Sequence, residues 1–283
     1  MPRDEYRAKA MVKGTSAKPL TSAFGITVRF LGGLTEGQKN AFKLAANRWT
    51  KVIVGDLPSV TIDGEVIDDI LIIAEGTSID GVGGILGQAG PTHLRPSTAA
   101  TGAYLPARGQ MQFDSSDLSQ MESSGTLNDV IAHEMGHVLG FGTIWNYKKL
   151  LKGARTSNPT FVGPAAMVEY TKLRGATDRT IAVPVENTGG AGTRDSHWRE
   201  TSFRNELMSG FIAAAGNPLS RVTVASMKDL GYTVDLEAAE SYGLPNLAEL
   251  AERGLLVAHA EAPHEHGVVL PIIPTVLPQD SLK

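Results

Sequence analysis

The stretch Thr126 to Gly142, TLNDVIAHEMGHVLGFG, constrains the fold of this chain more than any other. Leu127, Val130, Ile131, Met135 and Val138 recur at the three- and four-residue spacing of one helix face. This pattern predicts a helix over 126–139, stopped by Gly140 and Gly142. His133 and His137 stand on the border of the apolar stripe. At ~100° per residue they lie ~40° apart around the axis and one turn apart along it. Both imidazoles can therefore reach one ion. Glu134 lies ~60° from His137, close enough to hold a water on that ion without binding it. Two ligands, an activated water and a base make the geometry of a zinc hydrolase.

Catalytic zinc takes a third protein ligand and leaves a position open. In the compact metzincin spacing a third His would stand at 143, where this chain has Thr143, a poor zinc ligand. The ligand must come from elsewhere, and His197 ranks first. It lies 60 residues after His137 (197 − 137), and a Glu-Leu-Met-Ser-Gly run over 206–210 follows it. Three rivals remain. Gly192-Thr193-Arg194-Asp195 resembles the segment that supplies an Asp ligand in aspzincins. Glu169 has the place of a gluzincin ligand on a later helix. His93 sits upstream between prolines.

Other chemistries are excluded by composition. With no Cys in 283 residues there is no disulfide framework, Cys zinc finger, iron–sulfur cluster or thiol nucleophile. The net charge of −4 argues against a nucleic-acid partner. No apolar run reaches the ~18 residues of a transmembrane helix. Met1–Ser22 is polar and has no apolar core of a signal peptide. The glycine-rich stretch 81–90 fits neither a dinucleotide fingerprint, because Leu86 stands where Gly is needed, nor a phosphate loop. It reads as a loop or an irregular edge strand.

Along the chain, residues 1–24 read as a polar extension. Ile26–Leu31 alternates as a strand, and Thr35 with Gln38 forms a capping box that opens a helix ending before Gly55. Asp68–Ala74 and Gln110–Phe113 read as strands, 165–173 and 221–230 as helices, and 246–253 as a short helix. The tail from Ala262 reads as loose. Asp114 and Asp117 in FDSSD are candidate calcium ligands, set against the common use of Asp in turns and caps. The tail histidines His259, His264 and His266 read as solvated. Trp49, Trp145 and Trp198 read as core or cleft-wall residues, and Arg199 and Arg204 as ion-pair partners that hold residues 143–196 in place.

Together, HEMGHVLGFG at 133–142, His197-Trp198 and ELMSG at 206–210 resemble the leishmanolysin-type metzincins. The resemblance covers residues 25–235. It implies His133, His137 and His197 as ligands of one catalytic Zn2+, Glu134 as general base, and Met208 as a Met-turn residue packed beneath the metal. It also implies an α+β, zincin-like fold: a twisted mixed sheet, an active-site helix above a zinc cleft, and a mostly helical and irregular C-terminal subdomain. One catalytic domain would span 25–243, with an upper part 25–142, an insertion 143–196 and a lower part 197–243. Residues 244–283 would form a short helix and tail. Implied are a zinc endopeptidase acting on peptide or protein substrates, an extracellular location, and a substrate strand paired with an edge strand near 84–90. Unlike eukaryotic members the chain has no Cys, so it resembles a cysteine-free bacterial relative and cannot use a Cys switch for latency. Two other functions compete: a catalytically silent binding or adhesion module, against which an intact Glu134 argues, and a zinc amidase for small substrates.

Overall fold

The computed structural model describes residues 3–10, 23–177, 179–190, 192–212, 215–246 and 268–283. The chain begins with β1 (Glu5–Lys9) and β2 (Gly25–Gly32). Helix α1 (Glu36–Val52) follows, opened by the Thr35/Gln38 capping box that the sequence predicts. Then come β3 (Val60–Ile62), β4 (Glu65–Ile67), β5 (Ile70–Thr77), β6 (Ile85–Leu94) and β7 (Pro106–Asp114). Helices α2 (Ser115–Ser124) and α3 (Leu127–Val138) complete this half. The second half holds β8 (Leu151–Lys152), β9 (Thr160–Phe161), α4 (Pro164–Leu173), β10 (Val183–Pro184), α5 (Glu200–Phe203) and α6 (Arg221–Leu230). At the C-terminus lie β11 (Val268–Pro271) and β12 (Thr275–Val276).

The fold is α+β, around a mixed sheet ordered β1-β2-β5-β7-β6-β11, with β12 also on β6. β2, β5 and β7 are mutually parallel, and β6 runs antiparallel to β7. Alternation explains which faces are buried: Ile26, Val28 and Phe30 of β2 point into the core, where Phe42, Ala45, Ala46 and Trp49 of α1 meet them. Trp49 Nε1 donates to the Ala132 carbonyl at 2.8 Å, tying α1 to α3. Helix α3 packs on α1 from one side and on β6 and β7 from another. That approach requires Gly109 in β7, since a Cβ there would lie 2.3 Å from Val138 Cγ1.

Four expectations change. The N-terminal residues are not all a polar extension. Glu5–Lys9 forms β1 on the sheet, because Ala8 is apolar enough to bury and the backbone of β2 offers it a free edge. The strand expected from Asp68 starts at Ile70, because Asp69 is in a left-handed turn (φ 58°) and its carboxylate caps Gly25 N and Leu57 N. The glycine-rich stretch becomes a long strand from Ile85. Its glycines permit close pairing, since a Cβ on Gly87 would sit 1.9 Å from the Gln112 carbonyl oxygen. That strand is also not at the edge of the sheet. The C-terminal arm, expected to be loose, pairs in parallel along its outer side through β11 and β12. The helix expected over 246–253 lies, beyond Asn246, outside the described residues.

The contact at Gly109 sets the seat of α3. Gly109→Ala is expected to destabilise the protein by about 1–3 kcal/mol, the usual cost of overpacking. The measurement is the urea midpoint at unchanged m-value. A midpoint equal to wild type would mean that α3 can move off the sheet without cost.

Candidate metal centre

Helix α3 presents His133 and His137 one turn apart on a face that is 6–7% exposed. His197, 5% exposed, approaches from the second half of the chain. The three Nε2 atoms lie 3.0 Å (His133–His197), 3.1 Å (His133–His137) and 2.9 Å (His137–His197) apart. Each Nδ1 faces a backbone carbonyl: Leu207 O at 2.6 Å for His133, Phe141 O at 2.9 Å for His137, and Thr193 O at 2.9 Å for His197. A carbonyl oxygen only accepts, so each Nδ1 carries the proton. Each Nε2 is then a bare lone pair, and the three face one another with no proton between them. Burial holds all three rings neutral. It lowers His133 to about 4 and, with His133 beside it, His137 to about 3. His197 falls well below its ordinary value for the same reasons, burial first and then the two neighbouring rings.

Zinc fits this donor set. Bonds of ~2.0–2.1 Å in tetrahedral geometry put ligand nitrogens ~3.3 Å apart, close to the spacing here. Among the described residues, these three His form the one buried set of histidines able to hold a metal ion. The rivals to His197 lie elsewhere. Glu169, on α4, is in ion pairs with Lys172 and Arg221. Asp195, in left-handed backbone (φ 67°), accepts from Arg155 N and is not part of the histidine cluster. His93 is on β6, against Thr92 Oγ1.

Glu134 follows His133 on α3 and is 7% exposed. No hydrogen-bond donor among the described residues reaches its carboxylate, and burial pushes it up to about 8. It is thus a buried carboxylate that takes up a proton readily. Met208 is fully buried and lies against α3 between the two motif histidines: a Cβ on Gly136 would be 2.8 Å from its Sδ. Its backbone is tied to the third His, because Trp198 N donates to Met208 O at 2.9 Å. Glu206, with no exposure, clamps this segment: it accepts from Met208 N on one oxygen, and from Ser220 and Thr223 of the α6 N-terminus on the other.

The segment 143–196 leaves the site and returns to it at one point. Gly142 (φ 73°) lies so near Ser196 that a Cβ would meet the Ser196 carbonyl oxygen at 2.2 Å. Within the segment, β8, β9 and β10 form a small sheet, and Asp229 of α6 caps the start of α4 through Ala165 N and Ala166 N. Trp145, Phe161, Trp198 and Phe203 pack as one aromatic cluster, with ring centroids 5.0–5.7 Å apart, behind His197. Arg199 does hold the insertion, but through the carbonyls of Pro159 and Val185. Neither Arg199 nor Arg204 forms an ion pair among the described residues.

The two candidate calcium residues meet N–H groups. Asp114 caps α2 through Ser116 N at 2.7 Å and holds the turn before β6 through Ile79 N at 2.6 Å. Asp117 accepts from Gly83 N at 3.0 Å. Burial alone would raise Asp114, but the N–H groups of Ile79, Ser116, Gly81 and Asp117 outweigh it and hold the carboxyl down to about 2. Sequence reasoning found no role for Glu206 and did not identify Glu186. The latter, 2% exposed, gathers N–H groups of Asn187, Thr188 and Glu200 in the loop that carries His197. The ELMSG run was the one available signal for Glu206; nothing local marks Glu186.

The sequence matches the family model described as leishmanolysin over residues 98–249, more than half of the chain. A leishmanolysin homolog of Crithidia fasciculata is 29% identical over 109 residues, which are 36% of this chain and 16% of that protein. Leishmanolysin of Leishmania major is 31% identical over 119 residues, 39% of this chain and 19% of that protein. The match thus spans less than a fifth of these curated relatives.

Two outcomes are expected from this geometry. Zn2+ at about 100 times its Kd should add about 2.7 kcal/mol to stability. It should raise Tm by several degrees, and His197→Ala should remove most of that rise. An undiminished rise in His197→Ala would take His197 out of the ligand set. The second concerns Asp114. Its folded value lies below the unfolded one, about 3.9, so its stabilisation is present above pH ~4 and is lost as pH falls through about 2. The stability deficit of Asp114→Asn should therefore be full at pH 6 and shrink toward pH 2 in urea titrations. A pH-independent deficit would assign the cap to hydrogen bonding alone.

Proposed function

The chain belongs to the leishmanolysin family of peptidases, and from that membership we propose that it is a zinc-dependent endopeptidase with a metzincin-like site. One observation carries the reading: three buried imidazoles whose protons are fixed on Nδ1 by carbonyls, leaving three lone pairs aimed at a common point. Such a set is repulsive unless a cation joins it. His133, His137 and His197 would hold the zinc. When bound, zinc supplies a Lewis acid that polarises a carbonyl and makes water acidic.

Glu134 is the general base in this reading. It takes a proton from the water that adds to the peptide carbonyl carbon. It then delivers the proton to the nitrogen as the C–N bond breaks. With no local donor to hold it charged, burial gives it a raised proton affinity, which suits it to take the proton from the water. Met208 gives the site an apolar floor at Gly136 and joins α3 to the His197 segment. The aromatic cluster behind His197 keeps that wall rigid. Peptide or protein is the substrate class, and export fits such an activity. No helix among the described residues is long and apolar enough to cross a membrane.

A mixed peptide library tests the reading. The zinc-loaded protein should cleave internal bonds, lose activity to a chelator and regain it on zinc addition. Glu134→Ala should lower kcat by about 100-fold or more while binding zinc normally, the scale of a lost general base. Zinc-loaded protein that cleaves neither the library nor small amides would favour the binding-module reading. Cleavage of small amides alone would favour the amidase.

A further inference from the structure

Helix α3, which carries two of the three histidines, packs on β6 and β7. β7 is paired on both sides, so the outer edge of β6 is the backbone edge of the sheet beside the metal centre. An extended polypeptide gains affinity by adding a strand to such an edge. Here the chain's own C-terminal arm already occupies it.

The arm is held in two short pieces. Val268–Pro271 pairs in parallel with Ile85–Ala89, with a register shift after Val268. Thr275–Val276 pairs with His93–Leu94. Between them Ile272–Pro274 makes no ladder, opposite Gly90–Thr92. Pro271 and Pro274 bracket this break and have no N–H to give. Ile273 within it is 91% exposed. Beyond β12, Leu277 N donates to Leu94 O at 2.9 Å, and Leu282 bridges to Val60 of β3. A groove of about 370 Å3, lined in part by Thr61, His93, Thr275 and Leu277, opens between the arm and β3. The arm is thus held by two short backbone ladders with a break between them and open space on one side, while Val276, Leu277 and Leu282 beyond the break pack on the core.

We propose that residues 268–277 are an autoinhibitory strap, which covers the peptide-pairing edge of β6 and must leave it before a polypeptide reaches the metal centre. This rests on the peptidase reading. The strap would act as a steric cover on the cleft.

The strap can be locked in the full-length chain. A Cβ on Gly90 would lie 3.4 Å from Ile272 Cβ, just below the ~3.5–4.5 Å that a disulfide spans, so a small shift of the arm closes the bridge. With no native Cys, Gly90→Cys/Ile272→Cys forms a single reversible bridge. β-Casein serves as an unfolded polypeptide probe. The oxidised protein should cleave it about ten-fold more slowly than the same protein after reduction, because the bridge keeps the strap on the edge, whereas the reduced strap is released for part of the time and the probe can compete with it. Leu277→Pro, which removes the N–H donated to Leu94, should act in the opposite direction and raise casein cleavage several-fold. In a Glu134→Gln background, excess casein should slow oxidative closure of the cysteine pair, a readout independent of catalysis.

Equal cleavage before and after reduction, with closure indifferent to casein, overturns the strap. So does Leu277→Pro that self-associates with no change in casein cleavage, since the arm would then only shield a sheet edge. Absence of cleavage in every form, with closure still slowed by casein, would sink the peptidase reading and leave the strap standing.

Discussion

Everything at the metal centre follows from where three protons sit. Leu207, Phe141 and Thr193 each offer a carbonyl to an imidazole Nδ1, and this fixes which nitrogen faces inward. The three acceptors come from three different parts of the backbone: after α5, just past α3, and the loop before His197. A correct site is thus a statement about the whole second half of the chain. The apolar surroundings add to this, because they keep the rings uncharged and make the converging lone pairs costly to leave unmatched.

The two halves share one hydrophobic core, and buried contacts around α3 set the site within it. Gly136 lets both Met208 and Trp49 approach α3 closely. Glu206 fastens the Met208 segment to α6 with both carboxylate oxygens, and Tyr232 just beyond α6 donates to the Leu139 carbonyl. In the reading proposed above, substrate access and metal geometry fall to separate parts: the β6 edge to the first, and the loops of the second half, which hold the three imidazoles, to the second.

Helices were legible where the code is local. α1 announced itself by a capping box, α6 by Ser220 and Gly231 at its two ends, and α3 by its stripe. Two histidines and a glutamate on one helix are equally local. His197 is not. Its rank rested on the Met segment that follows, and the structure shows the physical link, the Trp198–Met208 backbone hydrogen bond. The carbonyl acceptors left no trace in the sequence, since every residue has a carbonyl. Strands were harder, because a strand is defined by its neighbour. β1 has few buried side chains, β6 reads as a glycine loop, and β11 and β12 are short pieces flanked by prolines. β1 is a strand because of the outer side of β2, β6 because of β7, and β11 and β12 because of the outer side of β6, which is far from them in sequence.

The contact between Gly142 and Ser196 has a consequence for how such a site can vary. Measured through the backbone, the helix that carries His133 and His137 and the third histidine are 60 residues apart; measured through space, the segment between them begins and ends at a touching pair. From the standpoint of the ion, that segment is a closed handle of zero net span. Its length and internal architecture are free variables, provided that the two ends still meet. A third histidine six residues after the second and one sixty residues after it can then deliver the same imidazole to the same point.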